Sequence, residues 1–338
     1  LVGNLLPYGE ISQLSKYLVE QLPLSRLRHF WYASSGSQAI DNALKVIWQK
    51  STPKYGIIAF EKCFSGRTIA GHELSYNEDY KKGMPQYLDV SYAPYFDCNH
   101  PQQSIQNTLQ ELEKIWHTKS NTLSCLILEL VQGEAGLLSG SKQFFHSVCN
   151  WAKAKNLYVI VDEIQTFGRT RELFATKYFE LESIVDVITI GKVLHACGML
   201  FTPELNPGPG LLGGTAIGSI AGLKLGSKII QYLTEGNFYG ELGRNRELEQ
   251  AFVTRLQALA LKHKKAAISN VFGLGVMISF ELGQGDKSVC EKFLQRLFHN
   301  GVIAFYGGKN PYRIRLLPPL CLRDEHINEI FQILEQTI

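Results

Sequence analysis

The sequence lacks the patterns that mark several large classes of protein. Its seven cysteines include no Cys-x-x-Cys pair and its nine histidines show no paired ligand spacing, so we predict neither a disulfide framework nor a metal site. A net charge of only +3, with no long Lys/Arg run, argues against nucleic acid as a partner. No apolar run approaches the ~20 residues of a membrane-spanning helix. Widely spaced cysteines, odd in number, are typical of reduced thiols, which predicts a cytoplasmic protein.

Length and apolar periodicity predict the fold class. The chain has 338 residues, 45% of them hydrophobic, which at roughly 150 residues per domain favours about two domains with a large core. Apolar runs of strand length alternate with helical patterns, predicting an α/β fold with a mostly parallel sheet covered on both faces. The predicted strands are His29–Ala33, Tyr55–Phe60, Cys125–Glu129, Leu157–Val161 and Val185–Ile190, with helices over Gln38–Gln49 and Gln143–Lys155.

The pattern changes after Gly214, and a second domain is predicted there. Two long helical patterns are followed by strand patterns with a helix between the first two, and a last helix closes the chain. The helices are Ile217–Leu233, Tyr239–Lys264 and Asp324–Ile338; the strands are Gly275–Leu282, Val302–Tyr306 and Tyr312–Leu317. We therefore predict a large α/β domain over residues 1–238 and a smaller α+β domain over residues 239–338.

Residues suited to chemistry follow each predicted strand of the large domain. The stretches are "SSGSQA", "EKCFSGRT", "ELVQGEAG", "DEIQTFGRT" and "GKVL", in chain order. Ligands of open parallel sheets bind beyond the carboxyl ends of the strands, so five such ends together predict a site. Each has an ordinary structural interpretation when taken alone: a helix cap at Ser35–Ser37, a core aromatic at Phe64, a loop-capping carboxylate at Asp162, a surface lysine at Lys192.

One further stretch matches a known fingerprint only in its letters. "GPGLLG" at Gly208–Gly213 fits the dinucleotide pattern G-x-G-x-x-G, but that pattern must follow a buried strand. Here the loop-like "TPELNP" precedes it, so we interpret it as a loop.

Taken in order, the motifs resemble those of the class III aminotransferases, also called the ω- or acetylornithine/ornithine type. These are fold-type I enzymes that use pyridoxal 5′-phosphate (PLP). The resemblance runs from "SGSQA" through "FSGRT", "VQGEAG", "VDEIQTFGRT" and "ITIGK" to "IRLLPPL". The most specific part is "VDEIQTFGRT" with a strand and Gly-Lys downstream. The resemblance implies a large PLP-binding domain with a smaller C-terminal α+β domain. It also implies that members of the family have several tens of residues before the position that corresponds to Leu1.

The resemblance also assigns roles to individual residues. Lys192 would hold PLP as a Schiff base, and Arg315 would bind a substrate carboxylate with Glu134 as its switchable partner. A threonine from the partner subunit also binds the phosphate in this family, which implies a homodimer with active sites at the interface. The other cofactor contacts would be Asp162 at the pyridine nitrogen, Gln165 at the phenolic oxygen, Phe64 on the ring, Gly36 and Ser37 at the phosphate, and Thr215 as that threonine.

Elementary chemistry supports these residue types. A carboxylate held against the pyridine nitrogen, here Asp162, keeps it protonated, so the ring can accept the charge left by a departing proton. Lys192 would be released by the substrate and then move that proton, in surroundings of low polarity that keep its amine reactive. Alternation along "YRIRLLPPL" places Arg313 and Arg315 on one strand face.

Several positions depart from the family motifs and leave the amine donor open. Thr166 runs directly into Phe167 without the usual glycine, Leu130 replaces a proline, and Ser65 replaces a larger residue. We predict transfer of the terminal amino group of an ω-amino or diamino acid (acetylornithine, ornithine, 4-aminobutyrate or lysine type) to 2-oxoglutarate. The alternatives are a PLP-dependent isomerase of the same fold and a non-catalytic relative.

Overall fold

The strands predicted from the sequence all have counterparts in the structure. The computed structural model describes residues 9–21, 24–214 and 217–338. Its strands in chain order are β1 (His29–Ala33), β2 (Gly56–Phe60), β3 (Val90–Ala93), β4 (Leu123–Glu129), β5 (Val131–Gln132), β6 (Leu138–Ser139), β7 (Tyr158–Asp162), β8 (Val187–Ile190), β9 (Cys197–Phe201), β10 (Ser269–Leu274), β11 (Met277–Glu281), β12 (Phe305–Gly307) and β13 (Arg313–Leu316).

The helices alternate with these strands through the first two thirds of the chain. They are α1 (Gly9–Lys16), α2 (Gly36–Ser51), α3 (Ile69–Leu74), α4 (Glu78–Lys81), α5 (Pro101–Lys119), α6 (Lys142–Ala154), α7 (Ala175–Tyr178), α8 (Ile220–Glu235), α9 (Arg244–Lys262), α10 (Lys287–His299) and α11 (Asp324–Thr337). A π-helix covers Tyr17–Gln21, and short 3₁₀ turns cover Lys192–Leu194, Pro203–Leu205, Lys264–Ala266 and Gly283–Gly285. Within the described ranges, no helix combines the length and hydropathy needed to cross a bilayer.

The chain divides into two compact units. The larger contains the chain up to Val131, Ser139–Gly168 and Phe174–Glu235; the smaller contains Gln132–Leu138, Arg169–Leu173 and Gly236–Ile338. The single boundary predicted after residue 238 therefore omits two short segments of the smaller unit. They belong to it because Arg169 O accepts the Val276 N–H at 2.8 Å and Glu134 O accepts the Gly308 N–H at 2.7 Å. Because such contacts join residues far apart in sequence, a single domain boundary along the chain cannot assign these segments to the smaller unit.

The larger unit is built on a seven-stranded, mostly parallel sheet in the order β1-β9-β8-β7-β4-β2-β3. Neighbours from β8 to β3 run parallel, whereas β9 is antiparallel to both β8 and β1. Buried side chains of α2, among them Ile40 and Leu44, share a core with Ile57, Ile160 and Val187 of the sheet. Burial on both faces explains the almost continuous apolar runs of the central strands.

The sequence analysis missed β3, β9, β10 and the two-residue strands β5 and β6. The strand β9 starts at Cys197-Gly198, so its first residues look like a continuation of the turn after Lys192. The strand β10 contains a glycine and the left-handed Asn270 (φ 48°) at an irregular register with β11, which breaks the alternation expected of a strand. Residues 206–214 contain neither helix nor strand, which confirms that "GPGLLG" is a loop.

The smaller unit is a four-stranded antiparallel sheet in the order β10-β11-β13-β12. Its core combines α9, α10 and α11 with the sheet through buried aromatic residues such as Phe252, Phe280 and Phe293. The register pairs Ser279 with Arg315 and Gly307 with Arg313. The two arginines therefore share one strand face, as the alternation predicts.

Candidate active site

The carboxyl ends of the central strands open into a cleft of about 330 Å³ in the larger unit. Pairing of Glu129 with Asp162 and of Asp162 with Thr189 aligns the ends of β4, β7 and β8 at one edge. Side chains from all five predicted stretches meet at this cleft. Its lining residues are Ser35, Gly36, Ser37, Phe64, Ser65, Gly66, Arg67, Glu129, Asp162, Ile164, Gln165, Lys192 and Cys197.

Asp162 is the buried anion of the cleft. It is 8% exposed at the end of β7, and its Oδ1 accepts hydrogen bonds from the Ile164 N–H (2.9 Å) and the Thr189 hydroxyl (3.1 Å). Burial raises the pKa of Asp162 from 3.8 to about 6, against the opposing effect of these hydrogen bonds and of the nearby Lys192 charge. A carboxylate that is costly to ionise here gains most from a cationic N–H brought against it.

Lys192 follows β8 in a left-handed conformation (φ 43°) at the start of a 3₁₀ turn. Space at Gly191 before it is tight, since a Cβ there would lie 3.0 Å from Cys197 Sγ and that side chain would have to shift. Lys192 is solvent-exposed, whereas the sequence analysis expected surroundings of low polarity. The cause is the turn, which carries the lysine out of the buried strand to the mouth of the cleft.

The start of α2 and the loop after β2 close on each other. Ser35 caps α2 by accepting the Gln38 N–H at 3.2 Å, and Ser37 Oγ accepts the Arg67 N–H at 3.0 Å. Gly66 permits this approach: its φ is 112°, and a Cβ there would lie 2.1 Å from Ser37 Oγ. The capping interpretation is thus confirmed, and it leaves first-turn N–H groups of α2 at the cleft, where anions bind well.

Phe64 is half-buried in the cleft rather than part of the core. Its backbone N–H donates to Glu129 Oε1 at 3.0 Å. Its ring meets the Tyr80 ring edge-on, with centroids 5.9 Å apart and planes at 79°. The buried Glu129 therefore fixes the backbone from which the Phe64 ring projects.

Arg67 is a cleft residue that the sequence analysis missed. Its guanidinium lies 4.1 Å from the Tyr80 ring centroid and 5.6 Å from that of Phe64. The side chain is exposed and, within the described residues, forms no ion pair. Arg67 stands in the motif "FSGRT", of which Phe64 and Ser65 were interpreted and the arginine was not. The stacking contact with Tyr80, thirteen residues further along the chain, is invisible in a linear motif.

The carboxylate next to Asp162 has a different task. Glu163 is fully buried and accepts the N–H groups of Ala175 and Thr176, each at 2.7 Å, and the Thr166 hydroxyl at 3.2 Å. Burial raises its pKa. Glu163 thus ties α7 to the loop after β7, while Asp162 faces the cleft.

The chemical groups that line the cleft match the parts of PLP. The start of α2 suits a phosphate, Asp162 suits a protonated ring nitrogen, and the exposed amine of Lys192 suits an aldehyde carbon. Phe64 and Ile164 provide apolar side chains for the ring. Gln165 is half-buried at the same cleft. Thr215 lies outside the described residues.

The two predicted substrate residues pair within the smaller unit. Arg315 Nη1 lies 3.8 Å from Glu134 Oε1 and donates to Gly133 O at 2.6 Å. Arg313 differs, because its guanidinium is buried against Asn270 O (2.6 Å), Ser279 Oγ (3.1 Å) and Glu281 (3.7 Å). Arg313 is therefore held within the fold by more contacts than Arg315.

No cluster of three or more His, Cys, Asp or Glu suited to a metal ion occurs in the described ranges. The seven cysteines, all within these ranges, form no disulfide.

Comparison with known proteins gives one consistent family. The model described as aminotransferase class-III matches residues 1–338. The chain is 27% identical to a probable 4-aminobutyrate aminotransferase of Bacillus subtilis, over 98% of this chain and 80% of the relative. It is 29% identical to an acetylornithine aminotransferase of Streptococcus mutans, over 90% and 76%. A solved structure, lysine aminotransferase from M. tuberculosis in the internal aldimine form, superposes with a TM-score of 0.87 at 19% identity over 98% and 80%, showing a shared fold.

Proposed function

Since the chain belongs to the class-III aminotransferases, which are PLP-dependent enzymes of fold type I, we propose that it transfers the terminal amino group of an ω-amino or diamino acid to 2-oxoglutarate. One observation carries the site assignment. The buried carboxylate Asp162, the exposed amine Lys192 and the start of α2 line a single cleft. The printed names of the relatives, 4-aminobutyrate and acetylornithine aminotransferase, support the donor class.

We assign the cofactor contacts to residues of the cleft. Lys192 is the residue that links the cofactor covalently, and Asp162 holds the proton on the ring nitrogen. Bound PLP supplies an acceptor for the negative charge left when a proton leaves the substrate carbon next to the nitrogen. Phe64 covers one face of the ring, first-turn N–H groups at Gly36 and Ser37 bind the phosphate, and Gln165 reaches the phenolic oxygen. Thr215 of a partner subunit remains a proposal that comes from the family resemblance.

Lys192 also moves the proton. An amine released by the incoming substrate at the same strand end stays within reach of the reacting carbon. Its exposure at the cleft mouth provides the access that a substrate needs to displace it. The left-handed backbone and the following 3₁₀ turn hold the base of its side chain in one place, so the amine returns to the same position.

We assign carboxylate recognition to two arginines. Arg67 lines the cleft with its guanidinium stacked on Tyr80 and its N–H edges available, which suits bidentate binding of a donor's carboxylate. Arg315 binds the carboxylate of 2-oxoglutarate. Glu134, 3.8 Å from it, masks its charge when the donor has no carboxylate for it. A partly buried cation without a partner is costly. Arg315 therefore pairs with Glu134 in the half-reaction of the donor and with the carboxylate of 2-oxoglutarate in the other half-reaction.

The test is a panel of amine donors with 2-oxoglutarate: acetylornithine, ornithine, 4-aminobutyrate and lysine. We expect glutamate to accumulate with at least one donor and no turnover without an acceptor. Conversion of a donor into an isomer, without consumption of 2-oxoglutarate, would favour the isomerase alternative. A protein that binds PLP and acts on no donor would contradict the proposal.

The assembly and location complete the proposal. We infer a homodimer with the active site at its interface, because the family places a partner's threonine at the phosphate, and a cytoplasmic location, because free cysteines are typical of reducing compartments. Light scattering of the active protein tests the dimer: a stable, active monomer contradicts it.

A further inference from the structure

Arg67 is held at the cleft by stacking rather than by a carboxylate. Its guanidinium lies 4.1 Å from the Tyr80 ring centroid, close enough for a cation–π interaction. An ion pair would occupy the N–H edges of the guanidinium. The cation–π contact brings no carboxylate to the guanidinium, so N–H groups of Arg67 are able to donate to a carboxylate from a substrate.

Tyr80 is itself held in place by its neighbours. It belongs to the four-residue α4, where Asn77 caps the helix by accepting the Asp79 N–H at 3.1 Å. The next residue, Lys81, is 9% exposed and donates to the Tyr92 hydroxyl of β3 at 2.8 Å. Lys81 therefore fastens the end of α4 to an edge strand of the sheet.

The Tyr80 ring also contacts Phe64 edge-on at 5.9 Å. One tyrosine thus contacts both the cleft arginine and the aromatic residue assigned to the cofactor ring. A change at Tyr80 that frees Arg67 leaves the Phe64 backbone fixed, because Glu129 anchors it independently at 3.0 Å. Loading of the cofactor and binding of a carboxylate therefore depend differently on Tyr80.

We propose that Tyr80 is a positioning residue that holds Arg67 in the orientation for binding a substrate carboxylate, and so helps to determine the preference for carboxylate-bearing amines. The inference rests on the role given to Arg67 under the proposed function. Tyr80 acts through Arg67 and needs no contact with the substrate.

The test compares three variants of the PLP-loaded protein. Tyr80→Phe keeps a ring under the guanidinium, and Tyr80→Leu removes it while keeping an apolar side chain. Tyr87→Leu is the matched control, because this tyrosine is 72% exposed in the same segment and is not among the cleft residues. Binding of butyrate, which has the carboxylate of 4-aminobutyrate without its amine, is measured by its perturbation of the cofactor absorbance. Turnover is compared for 4-aminobutyrate and for butylamine, which lacks the carboxylate.

For Tyr80→Leu we expect butyrate to bind about threefold to fivefold more weakly, within the range for loss of an exposed cation–π contact. The KM for 4-aminobutyrate should rise by a similar factor, with kcat and the butylamine reaction nearly unchanged. Tyr80→Phe and Tyr87→Leu should stay within about twofold of the unsubstituted protein.

The outcomes distinguish a failure of the role of Tyr80 from a failure of the role of Arg67. Equal losses with both amines, or a loss of PLP content in Tyr80→Leu, would make Tyr80 merely structural and overturn the inference. If Arg67→Ala weakens butyrate binding while Tyr80→Leu does not, the inference fails and the role of Arg67 stands. If Arg67→Ala leaves butyrate binding unchanged, Arg67 does not bind the donor's carboxylate, and both fail.

Discussion

The hydroxyl of Thr189 donates a hydrogen bond of 3.1 Å to Asp162 Oδ1. The two residues are register partners on β8 and β7, so the ladder of the sheet itself orients the carboxylate. Even with this hydrogen bond and that of the Ile164 N–H, burial dominates and raises the pKa of Asp162 to about 6. The site thus holds an anion whose charge is unfavourable until a cation joins it.

The first prediction concerns the stability of protein stripped of PLP. Between the ordinary pKa of 3.8 and about 6, folded protein binds a proton that the unfolded chain releases. Asp162 therefore lowers folding stability as pH rises through this window, and the cost is complete above it. Asp162→Asn should be more stable than the unsubstituted protein by roughly 3 kcal/mol at pH 8 and by less than about 1 kcal/mol at pH 4. Denaturant unfolding at both pH values measures this; equal stability at pH 8 would contradict it.

The second prediction concerns the same variant loaded with PLP. An amide has no charge to retain the ring proton, so Asp162→Asn should lose most activity, on the order of 100-fold, while still binding PLP. In the unsubstituted protein, affinity for PLP should fall as pH drops through about 6, because Asp162 is then neutral. Titration of cofactor absorbance should give a pH profile with this inflection for the unsubstituted protein and none for Asp162→Asn. Activity within about threefold of the unsubstituted protein would refute the role.

The third prediction tests the close approach of Gly66 to Ser37. Gly66→Ala places a Cβ 2.1 Å from Ser37 Oγ at a φ of 112°. We expect a loss of at least about 2 kcal/mol of stability and weaker PLP binding. Gly83→Ala is the matched control: its φ is also positive (79°), but nothing lies within 4 Å of the added Cβ. It should cost about 1 kcal/mol and leave PLP binding unchanged. Similar PLP affinities for the two variants would show that this approach does not shape the phosphate site.

The fourth prediction separates the two arginines of β13. Arg315→Ala should slow the 2-oxoglutarate half-reaction much more than release of the amine from a donor, with little loss of stability. Arg313→Ala removes a buried cation with three partners and should cost roughly 3–5 kcal/mol of stability. Glu134→Ala should leave Arg315 unmasked and favour α-amino acids as donors. Single-turnover spectra of each half-reaction decide this; equal losses in both halves for Arg315→Ala would make Arg315 structural.

The sequence was sufficient to predict the site residues that directly follow strands. Asp162 and Lys192 each follow an apolar run of strand length, and parallel strands bring such ends to one edge. Arg67 was missed because its stacking on Tyr80 depends on where the short helix α4 packs, which no period in the sequence records. The exposure of Lys192 was missed for a related reason. A residue with a left-handed backbone after a strand points its side chain in a different direction from a strand residue. A glycine at that position would predict such a conformation, whereas a lysine does not.

The most direct test of the account is borohydride reduction of the PLP-loaded protein followed by peptide mapping. Lys62 provides the matched control, because it too is exposed, has a positive φ (64°) and follows a buried strand, β2. We expect the cofactor to be fixed on the peptide that contains Lys192 in both the unsubstituted protein and Lys62→Ala. Lys192→Ala should carry no fixed cofactor and show no turnover. Fixation of PLP on any other lysine of the unsubstituted protein, or undiminished turnover by Lys192→Ala, would contradict the central claim.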